Sequence, residues 1–159
     1  LKVIDFGLAC IMHPCIMQED KRLMTKYTVT LWYRPPEVLL GSDHYEYSVD
    51  IWSVGAIFWE MWTRIPLYPA QTEPEQVINI FENQGRLNKD ETKFYNKLSD
   101  YKGPYNIPEK KKEFTISENL TLSCIGEILL SELIACLLEL VPDKRSTAKE
   151  ALDAPFFKF

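Results

Sequence analysis

The chain has 159 residues, 46% of them hydrophobic and 26% charged, which is enough for one domain with a real core. Its net charge of −5 argues against a surface built mainly to bind nucleic acid. No apolar run reaches the roughly 18 residues of a membrane span, and the N-terminal stretch lacks a signal-peptide layout.

In chain order, Leu1-Lys2-Val3-Ile4 is a short apolar strand pattern that runs into Asp5-Phe6-Gly7. Residues 9–24 carry His13-Pro14 and the mixed cluster Glu19-Asp20-Lys21-Arg22 without a clear period, so they read as a loop. Cys10, His13 and Cys15 could in principle ligate a metal, but a fourth ligand is not evident. With no C-x-x-C pair among Cys10, Cys15, Cys124 and Cys136, free thiols in a reducing compartment are the preferred reading. Asn119-Leu120-Thr121 is a formal glycosylation sequon, expected to stay unmodified without a secretory signal.

The stretch Thr25-Lys26-Tyr27-Thr28-Val29-Thr30-Leu31-Trp32-Tyr33-Arg34-Pro35-Pro36-Glu37 combines hydroxyls, aromatics, an arginine, a double proline and a carboxylate. Pro35 and Pro36 lack amide donors and fix φ, so Arg34 and Pro35 must be extended. Glu37-Val38-Leu39-Leu40 then reads as a short helix stopped by Gly41. A helix capped near Ser48 follows. Between Ile51 and Trp59 it has no charged residue, the mark of a helix buried nearly all round.

Thr72-Glu73-Pro74-Glu75 predicts a capping box that opens an amphipathic helix through Val77, Ile78, Ile80 and Phe81 to Gly85. Residues of about 86–119 are polar and lysine-rich, and Glu109-Lys110-Lys111-Lys112-Glu113 reads as a solvated face. Cys124 to Leu140 has helical apolar spacing at Ile125, Ile128, Leu129, Leu133, Leu137 and Leu140. A second capping box, Thr147-Ala148-Lys149-Glu150, starts a short helix before Pro155-Phe156-Phe157. There is no internal repeat, low-complexity segment or glycine loop of the nucleotide-cradling kind.

Asp5-Phe6-Gly7 and Pro35-Pro36-Glu37 resemble the two ends of a protein-kinase activation segment, D-F-G to A-P-E. Asp50-x-Trp52-Ser53-x-Gly55 and the run Leu140 to Phe157 resemble the start of the kinase central helix and its closing pattern. The Thr-x-Tyr-x-x-Thr-x-Trp-Tyr-Arg spacing is similar to the cyclin-dependent and mitogen-activated branch. Leu31 to Glu37 and Glu60-Met61-Trp62-Thr63-Arg64 favour the cyclin-dependent group; Thr25-Lys26-Tyr27 favours the mitogen-activated one.

This resemblance implies a mainly α fold, the large C-terminal lobe of a Ser/Thr protein kinase. It divides the chain into an activation segment (5–37), a buried central helix (about 49–63), a branch-specific insert (about 86–119) and closing helices (about 122–153). The glycine-rich loop, the ATP-binding lysine and the catalytic loop with its base are expected upstream of Leu1, so this portion alone is expected to be inactive.

The implied activity is transfer of the ATP γ-phosphate to Ser/Thr followed by proline. The implied cofactors are ATP and Mg²⁺, with Asp5 holding the metal and Phe6 and Gly7 beside it, Phe6 packed inward. Thr30 is implied to help hold the substrate hydroxyl. Thr28, Val29 and Arg34 would bind substrate, and Thr25 and Tyr27 fall on phosphosites.

On the structural side, Asp50 would accept bonds from the catalytic loop, Trp52 would pack, and Glu37 would pair with Arg145. Implied partners are protein substrates, a cyclin-like subunit and an upstream activating kinase, with no nucleic acid and no membrane, in the nucleus or cytoplasm. Four departures stand out. Cys10 replaces a usual arginine ligand of the phosphothreonine, and Pro35 replaces alanine, as in transcription-related relatives. Val141 and Ala154 replace the usual aspartate and histidine. The other class considered is a non-catalytic interaction lobe, against which Asp5 speaks.

Overall fold

The computed structural model describes residues 2–7, 9, 30–42, 46–103 and 125–158, and every structural statement below concerns these. They form a mainly α architecture, with helices α1 (Pro36–Leu39), α2 (Ser48–Thr63), α3 (Glu73–Gln84), α4 (Lys89–Tyr95), α5 (Ile125–Leu137) and α6 (Ala148–Leu152). Short 3₁₀ turns lie at Leu31–Tyr33, Pro142–Lys144 and Pro155–Lys158. The strand expected at residues 1–4 does not form in the described part: Val3 and Ile4 are 76% and 78% exposed in irregular chain. A strand needs a neighbour to accept its backbone bonds, and no described segment supplies one.

Pro35 is extended and caps α1, while Pro36 at the first turn sacrifices no bond because the first helical amides have no internal partner. Gly41, at φ 89°, ends the helix in a conformation that side chains disfavour. A Cβ there would also strike the side chains of Ser99 and Asp100. The Asp100 amide donates to the Leu40 carbonyl at 3.2 Å, so the turn after α1 is seated on the chain that follows α4.

Helix α2 starts at Ser48, but without the serine cap expected there. The amides that such a cap would take are already used. Val49 and Asp50 donate to the Glu46 and Tyr47 carbonyls at 3.2 Å. Trp52, Gly55 and Ala56 form its buried side. Gly55 permits the close crossing with α5, since a Cβ there would meet Leu138 at 2.9 Å and Leu137 at 3.0 Å.

The expectation that α2 is buried nearly all round is corrected for this chain. Val54, Ile57 and Met61, together with Asp50, follow one helical stripe and are all exposed. Helix α5 covers one side; no described element covers the other.

Helix α3 opens as its sequence predicts, with the Thr72 hydroxyl accepting the Glu75 amide and Gly85 closing it. The capping box is only half made. The Glu75 carboxylate accepts the Gln71 amide at 2.8 Å instead of turning back to Thr72. Val77, Ile80 and Phe81 are buried, whereas Ile78 is exposed.

Helix α4 forms where the sequence reads as polar insert. Asn88 and Glu91 make a complete reciprocal capping box, and Tyr95 at its end is fully buried. The Tyr95 hydroxyl donates to the Leu140 carbonyl at 2.7 Å, and the ring meets Phe81 edge-on at 5.3 Å.

In α5 and just beyond it the expected Leu133, Leu137 and Leu140 are buried, but the first turns depart from the expected face. Leu130, Leu133, Ile134 and Leu137 are buried, while Ile125 and Ile128 stand out. The Thr147–Glu150 box before α6 is complete. Its two hydrogen bonds from Thr147 hold the Glu150 carboxyl below the usual range.

One core joins α1, α2, α3, α4 and α5 through Leu39, Leu40, Trp52, Ile80, Phe81, Tyr95, Ile134 and Leu138. Tyr68 stacks on Trp52 at 6.0 Å. Burial raises the phenols of Tyr68 and Tyr95 above their ordinary value, and for Tyr95 the nearby Glu37 charge adds to the rise.

The sign of the pH effect follows. Below about pH 10 folded and unfolded chains are equally protonated at these groups; above it the unfolded chain releases protons that the folded chain keeps. Stability is therefore level near neutrality and falls as pH climbs above about 10. Thermal melts between pH 7 and 11 should show that fall, with a shallower alkaline slope in Tyr95→Phe; a melting temperature flat through pH 11 would contradict it.

Candidate functional site

The site is built on the stretch from Thr30 to Glu37. Its 3₁₀ turn closes when the Arg34 amide donates to the Leu31 carbonyl at 3.1 Å, and Arg34 is then extended at φ −77°, ψ 131°, as the following proline requires. Three elements grip this turn. From α2, the Ser53 hydroxyl donates to the Tyr33 carbonyl at 3.0 Å, and Glu60 accepts the Tyr33 hydroxyl at 2.7 Å. That bond to a carboxylate is the main reason the Tyr33 phenol is raised above its ordinary value.

From the loop before α3, the Ala70 carbonyl accepts the Trp32 indole N–H at 2.7 Å. From α3 itself, Gln76 donates to the Trp32 carbonyl at 3.2 Å, and Glu73 pairs with Arg34. Arg34 is 6% exposed, so its charge depends on such partners.

Below the turn, Glu37 on α1 meets Arg145 in a buried two-pronged ion pair, both contacts at 2.7 Å. Arg145 also donates to the carbonyls of Glu139 at 2.7 Å, Ser48 at 2.9 Å and, at the long end, Leu140 at 3.5 Å. Its guanidinium lies 5.0 Å from the centre of the Trp52 ring. All three guanidinium nitrogens are engaged. One arginine thus ties the end of the platform to the start of α2 and to the chain leaving α5.

The remaining sequence-derived residues are placed differently. Asp5 is exposed and sits at φ 63°, accepting the Gly7 amide at a long 3.4 Å. Phe6, expected to pack inward, has 70% of its surface exposed, because no described element lies over it. Thr30 is exposed and makes no side-chain cap bond. Asp50 is exposed in the first turn of α2, and Trp52 is completely buried beneath Arg145. Thr25, Tyr27, Thr28, Val29 and Cys10 lie outside the described residues. The structure thus brings Glu37, Trp52 and Arg145 together and pairs Arg34 separately with Glu73.

Sequence reading missed Glu60, Glu73, Gln76 and Ala70 as partners of the platform. Their bonds span 27 to 44 residues, beyond any local period. For metal binding, Asp5 offers a hard carboxylate oxygen of the type Mg²⁺ prefers. Among the described residues no group of three His, Cys, Asp or Glu side chains could hold an ion, so the fit is that of a single ligand.

With this geometry in place, comparison with known proteins identifies the lineage. The protein kinase domain model matches residues 1–157, and the chain belongs to the protein kinase family. It is 40% identical over 160 residues to a "Serine/threonine-protein kinase ppk23" of Schizosaccharomyces pombe, covering 99% of this chain and 37% of that protein. It is equally 40% identical over 158 residues to a "Cyclin-dependent kinase C-3" of Oryza sativa subsp. japonica, covering 99% of this chain and 45% of that one.

The chain therefore spans less than half the length of these relatives. The two relatives support a cyclin-dependent-like Ser/Thr kinase affiliation. Kinases of this family generally use ATP and Mg²⁺.

Arg145→Ala should strand the Glu37 carboxylate and destabilise the protein by about 3–5 kcal/mol in chemical denaturation. Arg145→Lys should fall well short of rescue, because a lysine has three donors from one point and cannot make the two-pronged contact. A near-neutral Arg145→Lys would show that the fork geometry is dispensable.

Proposed function

We propose that this chain is the large-lobe portion of a proline-directed Ser/Thr kinase of the cyclin-dependent type. The observation that carries the reading is the buried Arg34, paired with Glu73 and held under the Trp32–Tyr33 turn in a Trp-Tyr-Arg-Pro-Pro-Glu sequence. Arg34, Pro35 and Pro36 are buried, so in this reading they fix the course of the backbone beneath the peptide path, and the resemblance to Trp-Tyr-Arg kinases supplies the preference for proline. The name of the rice relative supports the cyclin-dependent branch.

In this reading the γ-phosphate of ATP passes to a substrate Ser or Thr hydroxyl, and the protein acts mainly by positioning and by charge stabilisation. Asp5 would contribute one carboxylate to Mg²⁺, which when bound neutralises charge on the phosphates. Thr30, Thr28 and Val29 would line the peptide path, and Asp50 would order the catalytic loop. Phosphorylation of Thr25 by an activating kinase and binding of a cyclin-like subunit would set the segment. Cys10 removes one cation from that response. The setting would be nuclear or cytoplasmic.

The exposed stripe of α2 fits a lobe that is continued by other parts of a kinase domain. Val54, Ile57 and Met61 on one helical face are the kind of apolar surface that a neighbouring element covers. The 159-residue chain should accordingly bind a hydrophobic dye such as ANS more strongly than a protein of the relatives' full length. Equal binding would argue that the stripe is a surface in its own right.

The decisive assay uses the full-length protein with Mg-ATP on matched Ser-Pro and Ser-Ala peptides. A preference for Ser-Pro of about 10-fold or more is expected. Equal rates would overturn the proline-directed reading. Absence of any transfer, with and without a cyclin-like subunit, would favour the non-catalytic lobe instead.

A further inference from the structure

We infer that the chain leaving α4, residues 95–100, is a strap that closes a ring of contacts around the Glu37–Arg145 pair, so that α4 and the end of the Thr30–Glu37 stretch open and close as one local unit. This coupling is geometric and does not rest on the proposed activity.

The ring can be followed link by link. Arg145 grips Glu37 with two contacts at 2.7 Å. It also holds the Glu139 carbonyl at 2.7 Å and, at the long end, the neighbouring Leu140 carbonyl at 3.5 Å. The Tyr95 hydroxyl donates to that same Leu140 oxygen at 2.7 Å. A carbonyl oxygen has two lone pairs, so it can serve both donors. From Tyr95 the chain runs on to Asp100, whose amide donates to the Leu40 carbonyl at 3.2 Å. Leu40 caps the end of α1, the helix that carries Glu37, and there the ring closes.

The strap is stiff enough to transmit a displacement. The Leu98 amide donates to the Tyr95 carbonyl at 3.0 Å and the Tyr101 amide to the Leu98 carbonyl at 3.3 Å, which folds it into successive turns. Tyr95 is fully buried with its ring edge-on to Phe81, and Leu98 packs against the same core. At the α1 end the fit is tight, since a Cβ on Gly41 would collide with the side chains of Ser99 and Asp100. The charges register the closure as well. Burial first, and then Glu37, raise the Tyr95 phenol, while Arg145 opposes them.

Closure matters because each contact in a ring is held near its partner by the others. Cutting one link leaves an open chain, in which the remaining partners meet at a lower effective concentration. Leu40 and Asp100 should therefore feel the loss of the Tyr95 hydroxyl, although that hydroxyl bonds to neither. A ligand that displaced α4 would loosen Glu37 by the same route.

The test is amide-resolved hydrogen exchange in the full-length protein, comparing Tyr95→Phe, Gly41→Ala and Ser131→Ala. Tyr95→Phe removes one link and keeps the aromatic ring in the core. It should raise exchange at the Leu40 and Asp100 amides together by about 2- to 10-fold, the equivalent of one neutral hydrogen bond. The Ile80 amide, inside α3, should stay at wild-type level, as local opening requires. Gly41→Ala pries the strap from its other end and should raise exchange at the Leu98 amide. Ser131→Ala removes another hydroxyl-to-carbonyl bond of 2.7 Å, within α5, and should leave Leu40 and Asp100 unchanged.

Unchanged exchange at Leu40 in Tyr95→Phe overturns the inference, even with Asp100 raised. So does an equal rise at Ile80, or at Leu40 in Ser131→Ala, because either marks a general loss of stability. An unchanged Leu98 in folded Gly41→Ala overturns it too. If Gly41→Ala does not fold, Tyr95→Phe and Ser131→Ala decide the matter alone.

Discussion

The contact between Glu37 and Arg145 is the constraint on which the described structure depends. A carboxylate that is 1% exposed at the start of a four-residue helix has no stable alternative to a partner, and water cannot serve as one. Arg145 supplies that partner. With its remaining donors it also gathers the carbonyls of Ser48, Glu139 and Leu140. The first turn of α2, the exit of α5 and the end of the platform therefore share one guanidinium. Tyr95 reports the same point from a fourth direction, since its hydroxyl shares the Leu140 carbonyl.

Above this base the platform is held from the side. Its bonds run to α2 through Ser53 and Glu60 and to the α3 region through Ala70, Glu73 and Gln76. Most of these use a platform carbonyl, an indole N–H or a hydroxyl, so they fix where the backbone runs without demanding a particular exposed surface. A scaffold of this kind lets the exposed side vary while the backbone beneath stays in place.

Much of this was legible in the sequence, and the reasons for success and failure are local. Double proline, a glycine stop and Ser/Thr-x-x-Glu boxes act within a few residues, and they placed α1, α3 and α6 correctly. Asn88-x-x-Glu91 carries the same signal, but it lies in a polar, lysine-rich stretch whose composition hides α4. The absence of charge in α2 was read as burial on all sides, yet only contact decides which side is covered, and Val54, Ile57 and Met61 are not. In α5 so many positions are apolar that the pattern does not choose a face; packing against Gly55 of α2 chose it. The Glu37–Arg145 pairing came from family motifs, because a link across 108 residues leaves no trace in periodicity.

That separation also has a meaning in time. Residues far apart in sequence meet late, because the loop between them must close before the contact is rewarded. On a ribosome adding about 5–20 residues per second, Arg145 is made roughly 5–20 s after Glu37. Until then α1 carries a carboxylate without its cation and the platform has no floor. The capping boxes of α3 and α4 need no such wait, because every residue they use has already emerged. The order of assembly is thus written into the chain, with the Thr30–Glu37 stretch among the last parts to take shape.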